Sequence, residues 1–222
     1  MIKCLGSGSK GNCWVIDDGE EILVVDCGVP VKDVKIAIGF QISRVVGCIV
    51  SHSHIDHAKY IPQYEGCGLK VYKPYEAIGD IGYARFGNFF IQSFPLVHDV
   101  PCFGFLVSNP KIGRILYATD TEYIKYRFKN LNYIIVEANY ANDLLDDELE
   151  DTVKRNHVLR GHMELETTKR FLKQNVDENT RAIILAHLSN ENSNRDMFLS
   201  EVESVSSPCY AIAIAKKGLV ID

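Results

Sequence analysis

SHSHIDH, residues 51–57, sets three histidines and an aspartate into seven positions directly after the apolar run GCIV at 47–50. In an extended segment alternate side chains share a face, so His52 and His54 project together, about 6–7 Å apart along the backbone. Two imidazoles at that spacing can converge on one cation with Zn–N bonds of about 2.0–2.1 Å. Asp56 and His57 fall where the chain must bend, and they face another direction, toward a second cation nearby. The stretch therefore reads as ligands divided between two adjacent ions, set against the plainer alternative of a polar surface loop.

Such a site needs further ligands from elsewhere in the chain, and strand ends are where a sheet rim can supply them. His98 follows FFIQSFPLV, Asp120 closes ILYATD, and His187 closes AIILAH. Taken singly, each reads as an ordinary structural residue. With SHSHIDH they complete a set of seven: His52, His54, Asp56, His57, His98, Asp120 and His187.

Around these positions, short apolar runs bounded by turn residues predict many strands. They are expected at Met1–Leu5, Cys13–Ile16, Ile22–Asp26, Val45–Val50, Leu69–Tyr72, Phe89–Phe94, Phe103–Val107, Ile115–Ala118, Tyr133–Glu137 and Ala182–Ala186. Helices are expected at Val31–Ile38, ended by Gly39, and at Asn194–Val205. A third runs through MELETTKRFLKQN, where Leu165, Thr168, Phe171 and Leu172 share a face. Tyr210–Ala215 and Gly218–Ile221 read as a closing hairpin around Lys216-Lys217. Many strands interleaved with few helices imply an α/β fold of layered sheets with helices outside, one domain over residues 1–222.

Composition bounds the setting. Of 222 residues, 46% are hydrophobic and 24% charged, the balance of a globular protein. The formal charge of −5 offers no basic field to attract nucleic acid over a distance and leans toward a small substrate. Seven cysteines, an odd number without a CxxC pair, fit reduced thiols better than a disulfide framework. MIKCLGSGSKGN lacks the apolar core of a signal peptide, and no apolar run nears the roughly 20 residues that cross a bilayer. A cytoplasmic protein without membrane contact is expected, in a bacterium or in the host of a phage.

LVVDCG, then SHSHIDH, then His98, Asp120 and His187 in that order resemble the metallo-β-lactamase superfamily over nearly the whole chain. The resemblance implies an αββα four-layer sandwich with two divalent metal ions at one edge of the sheets, zinc first and manganese as the alternative. It assigns His52, His54 and His98 to one ion and Asp56, His57 and His187 to the other, with Asp120 bridging. Asp26 would sit beneath and orient a ligand histidine; its plain reading is a strand-end turn residue. True β-lactamases of the commonest type carry cysteine where this chain has Asp120, which points away from antibiotic hydrolysis and toward the hydrolase and phosphodiesterase branches.

Two later stretches separate those branches. IIVEANY and RGHMELET are similar to paired motifs of the ribonuclease Z-type phosphodiesterases, which implies His162 as proton donor to the leaving oxygen and Glu137 as its partner. Asp56 joins them as a candidate catalytic residue. The alternative for His162 is a cap on the following helix. Methionine and glutamate follow His162 where that family has serine and threonine, so hydroxyl contacts to phosphate there are in doubt. GSGSKGNCWVI, EANY, GHMELET and LAHLSNENS resemble both the YycJ-type bacterial exonucleases and the anti-Pycsar phosphodiesterases with which phages destroy cyclic mononucleotide signals. No inserted tRNA-clasping arm is present.

The expectation drawn from this is a binuclear phosphodiesterase opening 3′,5′-cyclic mononucleotides, as a phage counter-defence against cyclic-nucleotide immune signalling. The alternative is a 5′-exonuclease on DNA or RNA. Candidate substrate contacts are Lys10, Ser189 and Asn190, and a homodimer is expected on the resemblance. GSGSKGN stays open between a phosphate-facing nest with Lys10 and a hairpin turn. Tyr123, Tyr126 and Phe128 stay open between base stacking and an amphipathic turn, and His157 reads as a solvated loop residue.

Overall fold

Period-two alternation decides the architecture. In Cys13–Asp17, Trp14 and Ile16 face one way while Cys13 and Val15 face the other, and both sets are buried. A strand apolar on both faces needs cover on both, which a sandwich flanked by helices supplies. The computed structural model describes residues 1–77, 80–145, 161–205 and 211–222, so His157 lies outside the described residues.

One sheet contains β1 (Ile2–Gly6), β2 (Cys13–Asp17), β3 (Ile22–Val25), β4 (Val45–Ile49) and β5 (Val71–Tyr72), with β13 (Val220–Ile221) on the far edge, in the order β13-β1-β2-β3-β4-β5. The other holds β6 (Gly82–Phe86), β7 (Phe89–Leu96), β8 (Cys102–Asn109), β9 (Gly113–Ala118), β10 (Tyr133–Glu137), β11 (Ala182–Ala186) and β12 (Ala211–Ile214), in the order β12-β11-β10-β9-β8-β7-β6. Between the sheets, Trp14, Ile16, Leu23, Val25 and Ile49 meet Phe89, Phe105, Val107, Ile115, Tyr117, Ile135 and Ile184. Full burial of each large apolar side chain stabilises the fold by about 1.5–3 kcal/mol.

Helices cover the outer faces. Val34 of α1 (Val31–Ala37) and Ile61 and Tyr64 of α3 (Ile61–Gly66) pack on Val15, Val24 and Cys48. A one-turn helix, α2 (Ile55–Ala58), lies between them in the chain. On the other side, α4 (Leu165–Asn175) and α5 (Arg195–Glu203) bury Leu165, Phe171, Leu172, Phe198 and Val202 against Leu116, Ile134, Ile183 and Leu185. The result is the expected αββα order of layers. No helix among the described residues is long and apolar enough to cross a membrane.

The closing hairpin does not form. β12 pairs in parallel with β11, whereas β13 pairs antiparallel with β1, so the last two strands belong to different sheets. Ala215 donates to Leu185 O, and Gly218, at φ +91°, donates to Cys4 O, which carries the chain across from one sheet to the other. Apolar demand explains the outcome: Ile212 and Ile214 complete the core under α4 and α5, while Leu219 and Ile221 pack in the core between the sheets. A hairpin would leave one of these sets in water. The strand β6 was not expected, because GYARF presents only Ala84 and Phe86 to the core.

Strand direction positions the site. β3 and β4 run parallel, and so do β9, β10 and β11. Their carboxyl ends therefore share one edge of the sandwich, where crevices for ligands form in open α/β sheets.

Candidate metal centre

At that edge, the residues just past the strand ends adopt an uncommon backbone. Asp26 (φ 61°), Asp120 (φ 58°) and His187 (φ 55°) all have positive φ, following β3, β9 and β11. A side chain there costs on the order of 1–3 kcal/mol unless the surroundings hold it. With that backbone, all three side chains reach the same cluster: Asp26 and Asp120 meet His57, and His187 meets Asp120.

The seven ligand candidates come together in overlapping groups of atoms close enough to share a cation. His52, His54 and His98 make one, Asp56, His57 and His187 a second, and His52, His57 and Asp120 join the two. Ring centroids of the first group lie 4.7, 5.1 and 5.0 Å apart. Asp120 reaches both halves: its Oδ2 is 3.1 Å from His57 Nε2 and its Oδ1 3.4 Å from His187 Nδ1. The extended segment puts His52 and His54 side by side, and α2 turns Asp56 and His57 the other way.

Hydrogen bonds fix which ring nitrogens remain available. His52 Nδ1 donates to Ser51 Oγ at 3.0 Å, His98 Nδ1 to Gly161 O at 3.0 Å, and His187 Nδ1 to Glu137 Oε1 at 3.0 Å. His52 Nε2, His187 Nε2 and Asp120 Oδ2 are buried without a hydrogen-bond partner among the described residues. Burial and the neighbouring His57 push His52 down to about 2, so its Nε2 keeps its lone pair at any ordinary pH. Burial disfavours charge on Asp120, but the surrounding imidazoles hold its carboxyl well below the usual range. Imidazole nitrogens gathered around a buried carboxylate are the donor set that a divalent cation takes, displacing their protons.

Asp26 lies beneath, fully buried, with its whole acceptor capacity engaged. Its Oδ1 takes Ser51 N–H at 2.8 Å and Ser51 O–H at 3.0 Å; its Oδ2 takes His57 Nδ1–H at 2.8 Å and Tyr117 O–H at 2.6 Å. It is no mere turn residue. Holding His57 Nδ1–H leaves Nε2 as the ligand atom.

Glu137, at the end of β10, gathers the other side. Its Oε1 accepts from His162 Nδ1 at 2.7 Å as well as from His187, and its Oε2 accepts from the N–H groups of Thr121 at 3.0 Å and Met163 at 3.3 Å. Burial works against charge on His162, but the Glu137 carboxylate outweighs it and raises the pKa to about 9. The helix-cap alternative for His162 is overturned: Glu164 caps α4, accepting from the N–H groups of Glu166 and Thr167.

A cleft of about 770 Å³ opens beside His162 and His187, and Lys10, Ser189 and Asn190 all line it. The Ser189 hydroxyl is turned into its own loop, accepting from Glu191 N and Asn192 N. Arg195, Lys216 and Lys217 also line the cleft, together with Asp33 and Glu191. Phe128 and Tyr126 pack with Phe94, the amphipathic-turn alternative, whereas Tyr123 is 45% exposed on another part of the surface. Four contributors escaped the sequence reading: Ser51, Tyr117, Asn12 and Asp99. Asp99 Oδ1 lies 3.1 Å from His98 Nε2, and only its place beside His98 could have flagged it. Tyr117 carries no local signal, since its strand reads as core.

Residues 6–60 match the family model of the metallo-beta-lactamase superfamily. Among curated proteins, the chain is 27% identical to exodeoxyribonuclease YycJ of Bacillus anthracis over 90% of this chain and 87% of that one. Among solved structures, the metallo-beta-lactamase fold protein YhfI of Bacillus subtilis superposes with a TM-score of 0.75 at 20% identity, covering 98% of this chain and 97% of that one. Human tRNase Z, short form, gives 0.63 at 16% identity over 100% and 98%. The likeness to solved structures thus shows the metallo-β-lactamase fold, residues 6–60 are similar to that superfamily's family model, and the fold carries a His/Asp cluster able to hold divalent metal.

Proposed function

We propose that the chain is a two-cation phosphodiesterase that removes nucleotides from the 5′ end of nucleic acid. The observation that carries the reading is the bond of half-buried His162 to buried Glu137 at 2.7 Å, beside ligand atoms that have no hydrogen-bond partner among the described residues. His52, His54 and His98 would hold one ion, Asp56, His57 and His187 the other, and Asp120 both; imidazoles predominate, which suits zinc, and the carboxylates also suit manganese. When bound, a pair of divalent cations supplies Lewis acidity, neutralising phosphate charge and making water acidic enough to give hydroxide near neutral pH.

The chain's own residues supply the rest. His162 Nδ1 is engaged by Glu137, so Nε2 carries the proton that can pass to a departing ribose oxygen. A proton donor has no use in passive binding, which argues against a non-catalytic nucleotide sensor. Thioester hydrolysis, which expels a good leaving group, needs no such donor either.

The cleft bears on the substrate. Lys10, Arg195, Lys216 and Lys217 outnumber Asp33 and Glu191 along it, so the wall is locally cationic although the chain as a whole is acidic. Local cations contact successive phosphates of a polymer, and the exodeoxyribonuclease relative supports the same reading. Opening of 3′,5′-cyclic mononucleotides, favoured by the net charge of −5, is the competing substrate.

Metal-loaded protein incubated with end-labelled DNA and a panel of cyclic mononucleotides tests both. Release of mononucleotides from the 5′ end, with affinity falling steeply in salt, is expected. Faster turnover of a cyclic mononucleotide would reverse the substrate assignment, and cleavage of a thioester but no phosphodiester would end the proposal.

A further inference from the structure

The glycine-rich turn between β1 and β2 grips one half of the ligand cluster and not the other. Asn12 Nδ2 lies 3.1 Å from Asp56 Oδ2 and 2.7 Å from His57 Nε2. Asn12 N–H donates to Asp56 O at 2.7 Å, and His187 N–H donates to Ser7 Oγ at 2.9 Å. All three residues of the second group are thus tied to the turn. The hydrogen bonds of His52, His54 and His98 among the described residues come from elsewhere.

The turn has little room to adjust. A Cβ on Gly11 would sit 2.4 Å from Gly28 O, and one on Gly28 would sit 1.7 Å from Asp56 O. Gly8 N donates to Asn12 Oδ1 at 2.7 Å while Gly8 O faces Asn12 Nδ2 at 3.2 Å, which fixes the amide's orientation.

Counting protons shows what the arrangement is for. An amide NH₂ has two protons to give. Three atoms lie within reach of this one: Gly8 O at 3.2 Å, Asp56 Oδ2 at 3.1 Å and His57 Nε2 at 2.7 Å. With a cation on His57 Nε2, the two protons would serve Gly8 O and Asp56 Oδ2.

We propose that Asn12 is a positioning residue for the second cation, holding the Asp56 carboxylate in its ligand orientation and tying occupancy of that site alone to the glycine-rich turn. The proposal rests on the two-cation reading above. Stepwise titration of metal-free, full-length protein with zinc, followed by calorimetry and elemental analysis, reads the two affinities separately. Asn12→Ala is expected to weaken the second site about 10–100-fold, the usual cost of losing a partner that orients a ligand. The first site should stay within about threefold, since it shares no hydrogen bond with the turn.

An equal fall at both sites, or no change at either, overturns the proposal. Where Asn12→Ala does not fold, Asn12→Ser is read by the same criterion, its hydroxyl too short to reach Asp56 and Gly8 together. Wild-type protein that takes up no zinc would sink the two-cation reading instead.

Discussion

Replacing Asp26 by Asn separates a tautomer effect from a packing effect, because the two side chains have nearly the same shape. Four donors converge on the buried carboxylate, two on each oxygen. Asn can keep the Ser51 pair on its Oδ1, which leaves an NH₂ facing His57 Nδ1 and the Tyr117 hydroxyl. Tyr117, whose hydroxyl already accepts from Thr119 Oγ1 at 3.3 Å, loses the acceptor for its own proton. His57 can accept from the new amide by moving its proton from Nδ1 to Nε2.

The stability cost is then one charge-assisted bond, about 2–3 kcal/mol. For a chain of 222 residues that lowers the melting temperature of metal-free protein by roughly 4–12 °C. The larger consequence falls on metal. A proton on Nε2 occupies the lone pair that would serve the second cation, so affinity there should drop about 10–100-fold. Chelator-competition titration of Asp26→Asn beside Tyr117→Phe tests this, since the tyrosine variant loses a donor without touching the tautomer. Tyr117→Phe should lose stability and keep its metal. If Asp26→Asn binds the second cation as tightly as wild type, the assignment of His57 Nε2 as the ligand atom is wrong.

Three further outcomes are expected. His162→Ala should reduce phosphodiester hydrolysis about 10²–10⁴-fold with metal content unchanged by elemental analysis; equal loss of both would mark His162 as structural. The raised pKa of His162, about 9, means that its contribution to stability is complete below about pH 6.5 and lost as pH rises through about 9. Urea unfolding of metal-free protein between pH 6 and 10 should show that decline, and Glu137→Gln should flatten it. Gly28→Ala should destabilise by about 3 kcal/mol or displace Asp56, since its Cβ would lie 1.7 Å from the Asp56 carbonyl oxygen; unchanged melting and metal uptake would show that the turn yields more easily than its packing implies.

Local spacing made much of the site legible. SHSHIDH shows its character within seven residues, because an extended segment repeats every two residues and the bend after His54 is short. Alternating apolar runs exposed most strands, and GHMELET displayed the start of α4. By themselves, then, the residues determined the layered α/β class and the ligand candidates as a list, while Glu137 with His162 as a candidate pair came from the resemblance to the ribonuclease Z-type motifs.

Tertiary structure decided what no local pattern carries. Whether the last two strands form a hairpin or divide between sheets depends on which core lacks apolar side chains, a property of the assembled layers. The partner of Asp26 across the sandwich, Tyr117, lies 91 positions away in sequence. Asn12 meets Asp56 and His57 from 44 and 45 positions away, on a turn whose sequence reads as a phosphate-facing nest or a hairpin turn. Hydrogen-bond direction, and with it which imidazole nitrogen stays bare, is set by such distant partners; it is therefore fixed only once the two sheets have closed on each other.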